Sequence, residues 1–399
     1  MGTMKKIIIT VRELDTGGTE LSMLNLLDEL IAQDCDITLL LSRKRGENLF
    51  KIPSNVKIIE IPFKREYERY YISDDESLIS NSIQKYYIKF VRKLIKGADK
   101  LAKYISWKSD IYNSYILRKT NPIFDKFDLA IDYYGYGIFN SKYISDYVIA
   151  DKKVMWIHDE RLSPISRSRA LFDKFDIFYG VSNACVKAFD KEFPETRDRT
   201  RLFYNFIDTN MIKEKSNEAI SDEIFNYNGF KLISVGRLEN QKGFDLAIET
   251  AYELKKSGFK FKWGIVGEGS HRSKLEKMIA TLNLSEEVIL LGSKSNPYPY
   301  MKRCDIYVQP SRHEGYGLTV AEARALCKPI VATELNCFKE QIESGETGIL
   351  VDFSVKSFQE ALENLMLNPD LLLKLEKKLQ KSEDLNISSK KELFKLLES

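Results

Sequence analysis

The sequence predicts an α/β protein made of two doubly wound domains, each a parallel sheet covered by helices on both faces. Three observations lead there. The chain has 399 residues, too many for one ordinary core when a domain takes about 100–200. Short β-branched runs alternate with amphipathic stretches, the pattern of successive βαβ units. That alternation is interrupted once, by a polar stretch at 213–228, and then resumes. A hydrophobic content of 43% with 30% charged and 12% aromatic residues belongs to a folded globular chain, not a disordered one.

The elements follow in order. Residues 6–11 read as the first strand, and 19–33 as a helix with Leu21, Leu24, Leu27 and Leu30 at helical spacing. Further strands are expected at 36–41, 56–61, 129–133, 153–157 and 177–181. After the polar stretch the strands are 231–235, 261–266, 288–291, 306–309, 330–333 and 348–351, with helices between them. The expected organisation is therefore a first domain at 1–212, a linker at 213–228, a second domain at 229–382, and a terminal helix at 383–399 crossing back to the first domain. Open α/β sheets bind ligands outside the carboxyl ends of their strands, so the cleft that two such domains face is the expected site.

Several function classes drop out early. With 61 basic and 58 acidic residues the net charge is +3, which excludes a polycation and, without a reading motif, a nucleic-acid partner. No apolar run approaches the roughly 18 residues of a spanning helix. The five mostly apolar residues at 7–11 end at Arg12-Glu13, too short for a signal peptide. Five cysteines, at 35, 185, 304, 327 and 337, have no CxxC spacing, which points to reduced thiols and a cytoplasmic protein. The three histidines, 158, 271 and 313, lack any second ligand at metal spacing, so no zinc is expected.

The glycine motifs narrow the chemistry. The first strand is followed by Arg12-Glu-Leu-Asp-Thr-Gly17-Gly18-Thr-Glu20, not the GxGxxG of a nicotinamide enzyme, and no Walker A sequence is present. The Gly17-Gly18 pair opens a helix at a strand's carboxyl end, which suits either a tight turn or an anion held by free N–H groups. Gly267-Glu-Gly269 reads as a tight strand-to-helix turn. Asp34-Cys-Asp36 is the one Asp-x-Asp spacing and falls at the wrong sheet edge to hold a catalytic metal.

The informative stretch is Val308-Gln-Pro-Ser311-Arg-His-Glu314-Gly-Tyr316-Gly317-Leu318-Thr319-Val-Ala-Glu322. It reads as strand, glycine-punctuated loop and helix. The first N–H groups of that helix, near Gly317, Leu318 and Thr319, form a phosphate site. Glu314 and Glu322 flank it, placed to accept sugar and ribose hydroxyls. Upstream, Gly236-Arg237-Leu-Glu-Asn-Gln-Lys242-Gly243 brings a guanidinium fork and an ammonium that suit one diphosphate. Singly, each of these charges also fits an ordinary solvated surface.

Together these motifs resemble the retaining, nucleotide-sugar-dependent glycosyltransferases of the GT-B fold, family 4, and most of all those of bacterial surface polysaccharides. Trp156-Ile-His158-Asp159, Tyr204-Asn205-Phe-Ile-Asp208 and Asn296-Pro297-Tyr298 add to the likeness. The resemblance implies two Rossmann-like domains facing a cleft, the first binding the acceptor and the second the nucleotide-sugar. It implies that Arg237 and Lys242 neutralise the donor diphosphate, Glu314 holds the donor sugar with the Tyr316–Gly317 loop, and Glu322 binds the ribose. Gly17 and Gly18 would approach the phosphates, the main chain near Lys294 would meet the base, and His158 would face the transferred sugar. His158 and Glu314 are thus the expected catalytic residues. No metal or other cofactor is expected, because cations and a helix terminus already face the diphosphate.

The likeness further implies a hexose transferred from a UDP-sugar to a glycan or polyprenyl-diphosphate-linked acceptor. Cys327 and Asn336-Cys337 depart from glycines frequent in the family, and are expected beside the acceptor side of the cleft. Cys327 is read as a buried thiol, not a nucleophile. The rivals are a nucleotide-sugar epimerase, a phosphorylase lacking here any context for a pyridoxal lysine, and an inactive nucleotide-sugar-binding scaffold. Residues 84–119 hold ten Lys or Arg against Asp99 and Asp110. Tyr87, Ile88, Val91, Leu94, Ile95, Ala98 and Leu101 recur there at helical spacing, and Trp107 follows. This segment either packs on the first sheet or docks the protein peripherally on the anionic inner face of a membrane.

Overall fold

The structure, a computed structural model, describes residues 4–398 apart from 16, 74–75, 80, 106–109, 135–138, 164 and 383–385. Packing divides the chain into two units, Met1–Asn205 with Lys391–Ser399, and Phe206–Lys390.

In the first unit β1 (Lys6–Val11), β2 (Asp36–Leu41), β3 (Lys57–Glu60), β4 (Ile123–Asp132), β5 (Val148–Ile157), β6 (Ile177–Gly180) and β7 (Thr200–Leu202) form one sheet. The order is β3-β2-β1-β4-β5-β6-β7, and every pairing is parallel. Ile7, Ile8 and Ile9 of β1 and Leu39, Leu40 and Leu41 of β2 are fully buried. A strand covered by helices on both faces needs apolar side chains at every position, which is why these runs were legible. β4 is twice the expected length, because its outer half, Phe124 to Lys126, is exposed and polar-rich and breaks the apolar signal. β7 gave no signal at all: three residues of Thr-Arg-Leu at a sheet edge bury little.

The second unit holds β8 (Phe230–Val235), β9 (Phe261–Val266), β10 (Val288–Gly292), β11 (Ile306–Gln309), β12 (Ile330–Thr333) and β13 (Ile349–Val351). Their order is β10-β9-β8-β11-β12-β13, again parallel throughout. Trp263 in β9 is fully buried, and its indole N–H donates to Ser234 Oγ at 3.0 Å. The Gly267-x-Gly269 turn is a close backbone approach. An added Cβ at Gly267 would lie 1.9 Å from the Gly236 carbonyl oxygen, and one at Gly269 2.5 Å from that of Leu238.

The polar stretch 213–228 packs inside the second unit, so the break between units falls at Asn205/Phe206. Ser216 and Ile224 are 2% exposed, and Tyr300 donates to Asp222 at 2.5 Å. The terminal helix, Ile387–Glu398, places Glu392 against the first unit's Tyr179, whose hydroxyl donates to it at 3.2 Å.

Candidate functional site

The second sheet winds outward in both directions from adjacent β8 and β11. That is its switch point, where the loops leaving two neighbouring strands part and open a crevice. Both second-domain motifs leave from there. Gly243 adopts φ +68° and approaches Pro310 so closely that a Cβ would fall 1.8 Å from its carbonyl oxygen. Only glycine fits. The stem of Lys242 lies over Gly236, 3.1 Å from where a Cβ would stand. These two contacts aim Lys242 at the β11 loop, where its Nζ meets Glu314 Oε1 at 2.6 Å. The side chains are 14% and 8% exposed, so the pair is largely desolvated.

A chain of hydrogen bonds orients Glu314. The Tyr307 hydroxyl donates to Gln309 Oε1 at 2.6 Å, as does Thr319 Oγ1 at 3.1 Å. Gln309 Nε2 donates to Ser311 Oγ at 2.8 Å, and Ser311 donates to Glu314 Oε1 at 2.7 Å. Because Ser311 accepts from Gln309, its own proton is committed to the carboxylate. Gln241 Nε2 approaches the second oxygen at 3.5 Å. Lys242, Ser311 and Gln241 thus all face Glu314 as donors. Tyr307, Gln309, Ser311 and Gln241 were not singled out from sequence. The available signal was the alternation Tyr-x-Gln-x-Ser, which puts three polar groups on one face of a buried strand.

Gly317 precedes the helix Leu318–Ala325 with φ +85°, and a Cβ there would strike the Phe338 ring at 2.3 Å. The first N–H groups of this helix, at Leu318 and Thr319, have no carbonyl one turn back. Tyr316 is buried, and its carbonyl accepts from Gln341 Nε2 at 2.5 Å. One turn into the helix, Glu322 is 4% exposed and accepts from the Tyr298 hydroxyl at 3.3 Å. Burial raises its pKa to about 7, opposed by the Tyr298 hydrogen bond and the Lys242 charge.

Two departures from the expected pattern acquire reasons. Cys337 is fully buried, and its thiol lies 3.4 Å from the Glu314 carbonyl, so it supports the Glu314 loop. Cys327 is half-buried, not buried, at φ +54°. The Lys328 N–H bonds the Ala323 carbonyl at 3.0 Å, so Cys327 occupies the left-handed position of a Schellman motif, where glycine is usual.

Arg237 is set apart from the Lys242–Glu314 pair. Its side chain is 59% exposed, and its nearest recorded ion partner is Glu239 at 3.4 Å. Lys294 lies over the Tyr300 ring at 5.1 Å, with Nζ 3.6 Å from Asp222; its pKa is raised chiefly by the Tyr300 hydrogen bond.

In the first unit Gly17 caps the helix Gly18–Ala32 in an extended conformation, φ −143°. The backbone there does not require glycine. His158 follows β5, and its Nε2 lies 2.5 Å from the Tyr133 carbonyl oxygen. A carbonyl only accepts, so Nε2 carries the proton. Burial holds the pKa at about 4, which leaves the ring neutral at pH 7. The ring also packs on Tyr133, centroids 4.7 Å apart, and the Tyr133 hydroxyl donates to Ser22 Oγ at 2.8 Å. Tyr133, missed in the sequence, thus joins His158 to the helix that the glycine pair opens. Among the described residues no group of three or more His, Cys, Asp or Glu is arranged to hold a metal ion.

Residues 215–382 match the family model described as glycosyl transferases group 1. The N-acetylgalactosamine-N,N'-diacetylbacillosaminyl-diphospho-undecaprenol 4-alpha-N-acetylgalactosaminyltransferase of Campylobacter jejuni is 31% identical over 185 residues, 46% of this chain and 48% of that protein. The alpha-D-kanosaminyltransferase of Streptomyces kanamyceticus is 34% identical over 143 residues, 35% of this chain and 37% of its own. The chain thus spans about half or less of the length of these curated relatives. Among solved structures, Anabaena HepE in complex with UDP superposes with a TM-score of 0.69 at 16% identity, covering 99% of this chain and 100% of that one. A TarM mutant from S. aureus, solved with fondaparinux, alpha-GlcNAc-glycerol and UDP, gives 0.69 at 18% identity over 99% and 100%. Residues 215–382, which contain Lys242, Glu314 and Glu322, are thus similar to the group 1 glycosyl transferases, in a chain whose two parallel sheets have the GT-B fold.

Proposed function

We propose that this chain is a retaining, metal-independent glycosyltransferase. It moves a hexose-type sugar from a UDP-sugar to a glycan or polyprenyl-diphosphate-linked acceptor in surface polysaccharide or glycoconjugate synthesis. The observation that carries the reading is the desolvated Lys242–Glu314 pair beside the N-terminus of the helix Leu318–Ala325. An ammonium has three donors, so Lys242 can keep Glu314 and take a phosphate oxygen as well. Glu314, fixed by Ser311 and Lys242, accepts donor-sugar hydroxyls. The helix N–H groups of Leu318 and Thr319 and the exposed Arg237 meet the diphosphate, while Glu322 takes the ribose and the chain near Lys294 the base. Within the first unit, Gly17 and Gly18 at the start of the helix Gly18–Ala32 are the residues the family likeness assigns to phosphate, and the neutral His158 the one it assigns to the sugar.

The choice of UDP is supported by the Anabaena and S. aureus structures, which are complexes with UDP. The lipid-linked acceptor is supported by the name of the Campylobacter relative. Charge building on the leaving diphosphate is met by fixed donors, and rate comes from that stabilisation plus positioning. Among the described residues no side chain is set as a covalent nucleophile; the acceptor attacks from the face the leaving group departs, and the departing phosphate oxygen takes its proton.

The deciding experiment is a panel of UDP-, GDP- and dTDP-sugars followed by thermal shift and hydrolysis, then NMR of the transferred anomeric centre with and without EDTA. Stabilisation by a UDP-sugar and an α-product formed in chelator are expected. An inverted product, or activity lost in EDTA and restored by Mn²⁺, would overturn the reading.

A further inference from the structure

The helix Ser82–Ile105 presents three different faces. At 100° per residue, 88, 92, 95 and 99 lie on one side, and this side packs. Ile88 is 1% exposed and Asp99 8%, and Asp99 accepts from the Tyr112 N–H at 3.2 Å. Arg92 donates to the Tyr112 hydroxyl at 3.0 Å. A second face, about a quarter-turn round, carries Lys85, Lys89, Lys93, Lys96 and Lys100.

The third face is apolar and open. Ile83, Tyr87, Phe90, Leu94 and Leu101 follow one another at helical spacing and are 80%, 64%, 62%, 56% and 67% exposed. Tyr86 and Tyr104, still more exposed than most of these, stand between this stripe and the lysines. The single stripe read from the sequence is thus two: Ile88 belongs to the packed side, whereas Tyr87, Leu94 and Leu101 do not. Trp107 and Lys108 of the same segment lie outside the described residues.

We propose that this stripe is a membrane-docking surface, and that its occupant is the headgroup–acyl boundary of an anionic bilayer. Charge decides among occupants. The helix has seven Lys or Arg and one acid, Asp99, and that acid sits on the packed side. A second copy packed antiparallel on the stripe would bring one lysine row towards another. A bilayer surface containing anionic lipid offers apolar depth for Phe90 and Leu94 and negative headgroups for the lysines alongside. Tyrosines at the border suit the interfacial layer. No helix among the described residues is long and apolar enough to cross a membrane, so the contact is a helix lying on the surface. The inference rests on residues separate from the donor site, and would hold an enzyme with a lipid-linked acceptor where that acceptor is.

Co-sedimentation with phosphatidylcholine vesicles, with and without phosphatidylglycerol, tests it on the full chain. The protein is expected to bind only vesicles containing phosphatidylglycerol, and to be released by high salt. Phe90→Asp with Leu94→Asp should cut partitioning at least tenfold, and Lys93→Gln or Lys100→Gln about fivefold each. Because these side chains are exposed, thermal unfolding and UDP-sugar binding should stay as in the wild type; that separates failure of docking from failure of the donor-site reading. Three results would each overturn the proposal. One is absence of binding to the anionic vesicles. Another is undiminished binding by the Phe90/Leu94 variant. The third is a dimer, by gel filtration, that the same substitutions dissociate.

Discussion

Replacing Glu322 with glutamine tests the site through an energy that can be worked out beforehand. The carboxyl is 4% exposed, and burial lifts its pKa from 4.5 to about 7. A shift of that size corresponds to about 3 kcal/mol between the two protonation states. Between pH 4.5 and 7 the folded chain holds a proton that the unfolded chain has released. The contribution of this group is therefore full below pH 4.5 and lost as pH rises through 7, leaving a buried charge that destabilises the free protein. Glutamine keeps the shape and the Tyr298 hydrogen bond without ionising. The stability of Glu322→Gln relative to wild type should rise by about 3 kcal/mol between pH 4.5 and 8, read from urea midpoints at each pH. Donor affinity should move the opposite way. A ribose needs the carboxylate as acceptor, so wild-type affinity for a UDP-sugar, whose diphosphate does not titrate here, should rise about tenfold from pH 6 to 8 as the ionised fraction grows. The variant should bind weakly and without that slope. A stability difference that is flat with pH, or a wild-type affinity that is flat, would refute the reasoning.

Removing Lys242 as methionine strands Glu314 in a largely buried position and should cost about 3 kcal/mol of stability, with at least tenfold weaker donor binding by calorimetry; Glu314→Ala should chiefly lower turnover. Gly243→Ala combines φ +68° with a Cβ 1.8 Å from the Pro310 oxygen, and should destabilise by about 2 kcal/mol or more, seen as a lower urea midpoint. Cys327→Gly relieves a left-handed residue at a helix end and should stabilise by about 0.5–1 kcal/mol, raising the thermal midpoint.

Much of the fold was legible because its causes are local. β1, β2, β9, β11 and β12 are buried at nearly every position and mostly apolar, which is what a strand covered on both faces demands. The glycines at 243, 267 and 317 mark turns or close approaches that exclude a Cβ, and the Glu314-x7-Glu322 spacing is visible as text. What depends on distant segments meeting was not legible. The polar run 213–228 resembled a linker until Ser216 and Ile224 proved buried. Arg237 and Lys242 read as equals, but only Lys242 is folded onto Glu314, because Gly243 rests on Pro310. The donors behind Glu314 come from a strand, a loop and a helix start, so their chain exists only once register is set. The helix Ser82–Ile105 is amphipathic by sequence; which apolar side is buried depends on where Tyr112 and Tyr70 dock. Periodicity determines that a face is apolar, and only tertiary packing decides whether that face is covered.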